Sequence, residues 1–188
     1  MQRFNLKYIL FFFIIVCALN VDAQTKETFD NPQTKFIEIG RGKCYIDNGV
    51  LKSKDSYAIF GNKELKNYTF SFKARAPKDA EQVQIWAGFR AHNRDDRYIL
   101  GLKGGLQNDL YLSRMGYMGS DELLNIRSVD FNPVPGEWYK FKIDVCGNRI
   151  RVFLNDKSLP YIDVIDENSN LAPMGPITLG GGWIETEF

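Results

Sequence analysis

Three consecutive stretches of the chain alternate apolar side chains with polar or aromatic ones. They cover residues 82–90, 97–103 and 109–113. A β-strand points successive side chains to opposite faces, so each stretch would bury one set and present the other on a shared surface. The presented set holds rings, amides, cations and a carboxylate: Gln82, Gln84, Trp86, Arg90, Arg97, Lys103, Asp109, Tyr111 and Ser113. Because sugars expose apolar C–H patches ringed by hydroxyls, such a surface is suited to a sugar.

Six of these side chains form the predicted ligand-binding site. Trp86 and Tyr111 would stack on sugar rings, and planar donors and acceptors would bond the hydroxyls, namely Gln84, Arg90, Arg97 and Asp109. An ordinary solvent-facing strand surface, with Trp86 under a loop, explains the same pattern. Both interpretations stay open at this point.

The acidic residues offer weaker signals for catalysis. Glu185 and Glu187 stand two apart on a predicted strand and therefore on one face, the minimal geometry for acid and base work on a glycosidic bond. The catalytic candidates are Asp96, Asp109 and Glu185, and a solvent-facing position explains each of them equally well. His92 is the only histidine, which excludes multi-histidine metal sites and leaves one possible base for a serine or cysteine triad.

Alternation with a period of two runs through most of the chain, whereas amphipathic helical periodicity is nearly absent. The clearest hairpin joins residues 139–145 to residues 150–154 through the turn pair Gly147-Asn148. Near the end, a bulge at residues 180–182 would reconcile an inward Leu179 with buried Ile184 and Phe188. About a dozen short strands separated by Gly, Pro, Asn and Asp turns predict an all-β fold, a two-sheet antiparallel jelly-roll sandwich.

The N-terminus is typical of an exported protein. Arg3 and Lys7 precede an apolar run at residues 8–19, and Val-Asp-Ala precedes Gln24. This layout predicts a signal peptide at residues 1–23, and the run is shorter than the roughly 20 residues of a membrane span. Residues 24–188 have the length of one domain, which we expect in the periplasm, at the cell surface or outside the cell.

Without the predicted signal peptide, the chain has equal numbers of basic and acidic residues. This balance, with no block of Lys and Arg, argues against nucleic acid as a partner and favours an uncharged or small one. Cys44 and Cys146 could form a disulfide in an export compartment. Alternation makes Cys44 inward and Cys146 a turn-edge residue, so their pairing stays open.

Four segments resemble concanavalin A-like, laminin-G-like domains. They are IWAGFR at 85–90, RYILGL at 97–102, GEWYKFKI at 136–143 and NRIRVFLND at 148–156. The resemblance covers most of residues 25–188. Within that superfamily the chain is similar to bacterial secreted domains of the 3-keto-disaccharide hydrolase type and to carbohydrate-binding modules appended to glycosidases. It lacks the Glu-x-Asp-x-x-Glu strand that would resemble the catalytic carboxylates of laminarinases.

The resemblance implies a glycan setting rather than a defined reaction. It also implies that a structural calcium ion can be held, and that the domain can belong to a longer chain with a catalytic domain. The chain stops at Phe188 within its last predicted strand, so we expect a domain cut at its C-terminal end. The favoured hypothesis is a non-catalytic module for oligo- or polysaccharides. The alternatives are a glycoside hydrolase of the 3-keto-disaccharide hydrolase type and a laminin-G-like protein-interaction domain.

Overall fold

The structure is a computed structural model, and it describes residues 26–31, 33–34, 36–93, 96–105, 107–115, 122–169 and 172–188. The predicted signal peptide lies outside these ranges. The described residues contain no helix long and apolar enough to cross a membrane.

The described chain is built of β-strands, as the alternation predicted. They are β1 (Ile37–Asp47), β2 (Val50–Phe60), β3 (Tyr68–Ala74), β4 (Gln84–Asn93), β5 (Asp96–Lys103), β6 (Asp109–Met115), β7 (Glu122–Ser128), β8 (Tyr139–Cys146), β9 (Arg149–Leu154), β10 (Ile162–Ile165), β11 (Ile177–Gly180) and β12 (Thr186–Glu187). The predicted hairpin is confirmed, since Gly147 has a φ of 56° in the turn between β8 and β9.

The strands form two antiparallel sheets, which confirms the predicted sandwich. The large sheet has the order β1-β2-β11-β4-β5-β6-β7, with β12 paired to β2, and the small sheet has the order β10-β9-β8-β3. The C-terminal segment ties the sheets together. Phe188 exchanges two backbone hydrogen bonds with Leu51 of β2, and Glu187 exchanges two with Arg75, which follows β3.

The core lies between the sheets and consists of the side chains that alternation placed inward. From the large sheet, Ile85, Leu100 and Leu110 are almost completely buried, and from the small sheet Ile143 and Val152 meet them. Burying each such side chain contributes about 1.5–3 kcal/mol. The intervening residues of the large sheet must therefore stand on its other side, which we call the outer face.

Cys44 belongs to this core rather than to a disulfide. It is a free, buried thiol whose S–H donates to Ser53 Oγ at 3.3 Å. Burial raises the pKa of the thiol. A bridge to Cys146, which sits at the end of β8 in the small sheet, is therefore not formed.

A buried ion pair closes one end of the sandwich. Asp166, just after β10, accepts hydrogen bonds from Arg114 on β6 and, at 2.6 Å, from the Tyr98 hydroxyl on β5. Burial alone would raise the pKa of Asp166, but the hydrogen bonds from Arg114, Tyr98 and the Asn168 amide outweigh it and lower the pKa. Glu122 is a second ionic partner of Arg114. The pair thus joins the end of β10, the edge strand of the small sheet, to β5 and β6 of the large sheet.

Asp166→Asn should lower the free energy of unfolding at neutral pH by about 3 kcal/mol, because it removes one partner of a buried pair. In the unmodified protein the contribution is complete above the unfolded-state pKa of about 4 and is lost as the pH falls through the lower folded-state pKa. Urea denaturation across the acid range should show the two stabilities converging at low pH. A difference that does not change with pH would contradict this assignment.

Candidate functional site

Aromatic side chains gather on the outer face of the large sheet, on strands that neighbour one another. Trp86 on β4 pairs with Gly101 on β5, and Gly101 pairs with Tyr111 on β6. The Tyr111 ring covers this glycine, because a Cβ at residue 101 would lie 2.2 Å from it. On the other side of Trp86, Tyr57 of β2 pairs with Gly180 of β11. Gly101 and Gly180 thus leave room for the rings of residues on the neighbouring strands.

Trp183 completes this group, which we call the aromatic platform: Tyr57, Trp86, Tyr111 and Trp183. The Trp183 side chain is 62% exposed and meets Trp86 edge-on, with ring centroids 5.9 Å apart and an angle of 69°. The predicted irregularity at the glycines is present, since Gly180 and Gly181 have φ values of 104° and 122°. It turns Trp183 outward while Ile184 packs against the core and Phe188 is buried.

Gln84 holds the segment that carries Trp183. Its Oε1 accepts the Ile184 amide at 3.3 Å, and its backbone carbonyl accepts the Thr186 hydroxyl at 2.9 Å. The side chain is buried, and a Cβ at Gly182 would lie 2.5 Å from its Oε1. Gln84 therefore lies on the predicted face, but it positions a loop there instead of offering its amide to solvent.

A small cleft of about 80 Å³ opens between Tyr57, Trp86 and Arg97. The Arg97 side chain is 4% exposed, and its guanidinium lies 3.8 Å above the Tyr57 ring. A Cβ at Gly88 would come within 3.2 Å of Arg97 Cδ, so the glycine leaves room for this side chain. Asp55 is the carboxylate that lines the cleft.

Arg90 does not join this site, contrary to the sequence-based prediction. Its φ is 48° and the pairing of β4 with β5 shifts after Phe89, so the alternation breaks at this residue. The side chain is 2% exposed, and its Nη2 donates to the carbonyls of Lys66 and Gly147, at the end of the small sheet. Arg90 therefore links the two sheets and does not face a ligand.

Tyr111 and Asp109 both stand on the outer face, as predicted. Lys103 Nζ lies 5.2 Å from the centroid of the Tyr111 ring. Asp109 accepts the Ser128 hydroxyl at 3.0 Å, so it is tied to the edge strand β7. It does not line the cleft beside Trp86.

The structure does not bring the three catalytic candidates together at the cleft. Asp96 begins β5 at the hairpin turn, Asp109 lies at the start of β6, and Glu185 accepts the Tyr45 hydroxyl at 3.4 Å. Glu187 is occupied by ion pairs with Arg75 and Lys52. The lining of the cleft includes none of these carboxylates.

The resemblance implies a structural calcium ion, whose ligands would be carboxylate and carbonyl oxygens. Among the described ranges, no group of three or more His, Cys, Asp or Glu side chains is arranged to hold a metal ion.

Sequence reasoning missed three residues of this surface. Tyr57 and Asp55 lie on β2, which was not among the predicted strands, and its pairing with β11 could not be read from the chain. A bulge was predicted at residues 180–182, but the contact of Trp183 with Trp86 depends on a neighbour about one hundred residues away. Gly180-Gly181-Gly182 was the available signal, because close backbone approach requires glycine.

Comparison with protein-family models identifies the family of this chain. The family model of the 3-keto-alpha-glucoside-1,2-lyase-like domain matches residues 22–188. The chain belongs to this family. A search of curated proteins gives no match.

Solved structures share the fold of this family member at low sequence identity. A carbohydrate-binding module of type CBM66 from Bacillus subtilis is 14% identical with a TM-score of 0.63, covering 81% of this chain and 89% of that one. A GH43 protein from Bacillus licheniformis is 10% identical with a TM-score of 0.62, covering 86% of this chain but 37% of that one. A β-1,3-glucanase from Mycobacterium marinum is 12% identical with a TM-score of 0.51, covering 86% and 94%. These likenesses establish the sandwich fold.

Gly180→Ala should destabilise the protein and displace Trp183. A Cβ at residue 180 would lie 2.1 Å from Ser53 Oγ in a backbone conformation that L side chains rarely adopt. We expect a loss of at least about 2 kcal/mol in the free energy of unfolding. The exciton signal of the Trp86–Trp183 pair in circular dichroism should also weaken.

Gly147→Ala is the matched control, because it also has a positive φ but nothing within 4 Å of its Cβ. Gly147→Ala should lower the free energy of unfolding by less than Gly180→Ala does and should leave the exciton signal unchanged. Equal effects of the two substitutions would show that the close approach at Gly180 does not position Trp183.

Proposed function

We propose that this family member is an exported carbohydrate-binding domain that holds a sugar on the aromatic platform. The observation that carries the proposal is the corner formed by Trp183 and Trp86. Two indoles meet edge-on at 69°, and one of them is 62% exposed on the outer face of the large sheet. Aromatic faces of this kind complement the C–H patches of a sugar ring.

The exposure of Trp183 needs an explanation in a folded domain. Leaving so large a ring in water forgoes stabilisation, and the chain uses glycines with positive φ to place it there. A ligand that stacks on Trp183 at this corner would remove that apolar surface from water.

The border of the cleft supplies polar groups for orientation. Asp55 is exposed and can accept hydrogen bonds from sugar hydroxyls. The Arg97 guanidinium lies over Tyr57 and fixes that ring in place. Aromatic plates with few convergent polar groups are the usual composition of a ligand site.

A second candidate function is cleavage of the bound sugar. Family membership and one carboxylate at the cleft favour it, because eliminating or hydrolysing a glycosidic bond needs a positioned acid or base. Asp55 would be that group. The described cleft lacks the pair of carboxylates on which most glycoside hydrolases depend, so binding remains the preferred proposal.

A glycan array probed with the purified protein, followed by mass spectrometry of the eluted glycans, tests both functions. We expect saturable binding of selected uncut glycans. Trp86→Ala and Trp183→Ala should each weaken binding at least about tenfold, because loss of ring stacking removes roughly 1.5 kcal/mol.

Trp138→Ala is the matched control. Trp138 lies just before β8 of the small sheet, under the Arg75 guanidinium at 4.5 Å, and its loss should leave glycan binding unchanged. Cleaved glycan that disappears in Asp55→Asn would establish the enzyme instead. Absence of binding, or binding that is insensitive to both platform tryptophans, would overturn the proposal.

A further inference from the structure

The outer face of the small sheet carries a groove lined by lysines. It has a volume of about 560 Å³, and we call it the lysine groove, defined by Lys73, Lys140, Lys142, Lys157, Phe153 and Asp156. Four lysines line it together with one carboxylate, Asp156, while Asp144 and Asp130 pair with two of the lysines from outside the lining.

Two of these lysines stand directly opposite each other. Lys73 on β3 pairs in register with Lys140 on β8. Lys140 forms an ion pair with Asp156, whereas Lys73 has no carboxylate within 4.0 Å in the part of the chain that the structure describes. Like charges on directly opposed strand positions destabilise a sheet. An anion bound between Lys73 and Lys140 would reduce this repulsion.

An aromatic ring lies beside these charges. Phe153 on β9 pairs with Lys142 on β8, and Lys142 Nζ lies 4.9 Å from the ring centroid. The ring is half-buried and forms an apolar wall of the groove. A partner that fits must therefore combine anionic groups with an apolar surface.

The remaining two lysines have partners of their own. Lys142 lies 3.6 Å from Asp144, and Lys157 forms an ion pair with Asp130. The ammonium groups of both pairs are partly exposed and keep hydrogens for a second acceptor. Among the described residues, Lys73 is therefore the lysine of the groove that has no carboxylate partner, and Lys140 is its directly opposed neighbour.

We propose that the lysine groove binds an acidic oligosaccharide, whose carboxylate or sulfate groups contact Lys73 and Lys140 and whose sugar ring packs on Phe153. The volume falls within the roughly 300–1,000 Å³ of small-molecule sites. A nucleic acid fits less well, because single strands are held by successive stacked rings and the groove offers one exposed ring. This second site lies on the sheet opposite to the aromatic platform and does not depend on the function proposed for it.

The test is calorimetric titration of the purified protein with a hexamer of galacturonic acid and with its methyl ester. The ester has the same sugar rings without the charge. A sulfated heparin hexasaccharide distinguishes sulfate from carboxylate as the anionic group. We expect the acid to bind at least tenfold more tightly than the ester, and its affinity to fall between about 50 and 200 mM salt.

The double variant Lys73→Gln/Lys140→Gln should lose at least tenfold in affinity for the acidic hexamer. Its melting temperature should be unchanged or higher, because the substitution removes the opposed charges. The control Lys63→Gln/Lys66→Gln changes two exposed lysines in the loop before β3, at the other end of that strand, and should bind as the unmodified protein does. Trp86→Ala should also bind the acidic hexamer normally, which separates this site from the aromatic platform.

Four outcomes would overturn the proposal: no binding of either acidic sugar, equal binding of the ester, a loss of affinity in the control pair as large as in the double variant, or a loss caused by Trp86→Ala. Tighter binding of single-stranded DNA or of anionic lipid vesicles through Lys73 and Lys140 would likewise replace the acidic sugar with another partner.

Discussion

Burial of the inward side chains of β5 and β6 fixes the face on which the other side chains of these strands lie. The inward side chains, completely or almost completely buried between the two sheets, are Leu100, Leu102, Leu110 and Leu112. A shift of one residue in the pairing of a strand would turn its apolar set out into water, so the register is strongly specified. The same register brings Tyr111 to the outer face. Everything proposed for the large sheet depends on this constraint.

Glycines determine how closely the outer groups can approach one another. Gly101 lies under the Tyr111 ring, Gly88 leaves room for Arg97, and Gly180 lets the backbone pass against Ser53. A side chain at any of these positions would meet its neighbour at 3.2 Å or less. The aromatic platform therefore requires glycine at these three positions as well as the aromatic rings themselves. Its long-range element is Gln84, which holds the segment of Trp183 from a strand about one hundred residues earlier.

The fold was predictable because alternation is a local property of the sequence. The two-sheet sandwich, the hairpin at Gly147 and the outward positions of Trp86, Tyr111 and Asp109 follow from it. The position of Arg90 was not predictable, since one residue with a positive φ reverses the side on which its side chain lies. The functions of Gln84 and Tyr57 depend on the pairing of β11 with β2 and β4. This pairing joins strands that are far apart in the sequence, so local alternation does not predict it. Alternation alone thus predicted that Trp86, Tyr111 and Asp109 stand on the outer face, but not which side chains of that face reach solvent.

The most direct test of the platform uses the three tryptophans as reporters, because the chain has only Trp86, Trp138 and Trp183. Their indole N–H groups can be followed by NMR in 15N-labelled protein while a glycan selected from the array is added. The account predicts that the signals of Trp86 and Trp183 shift together in a saturable manner, while that of Trp138 stays in place. A glycan that binds and shifts Trp138 alone, or that shifts none of the three signals, would contradict it.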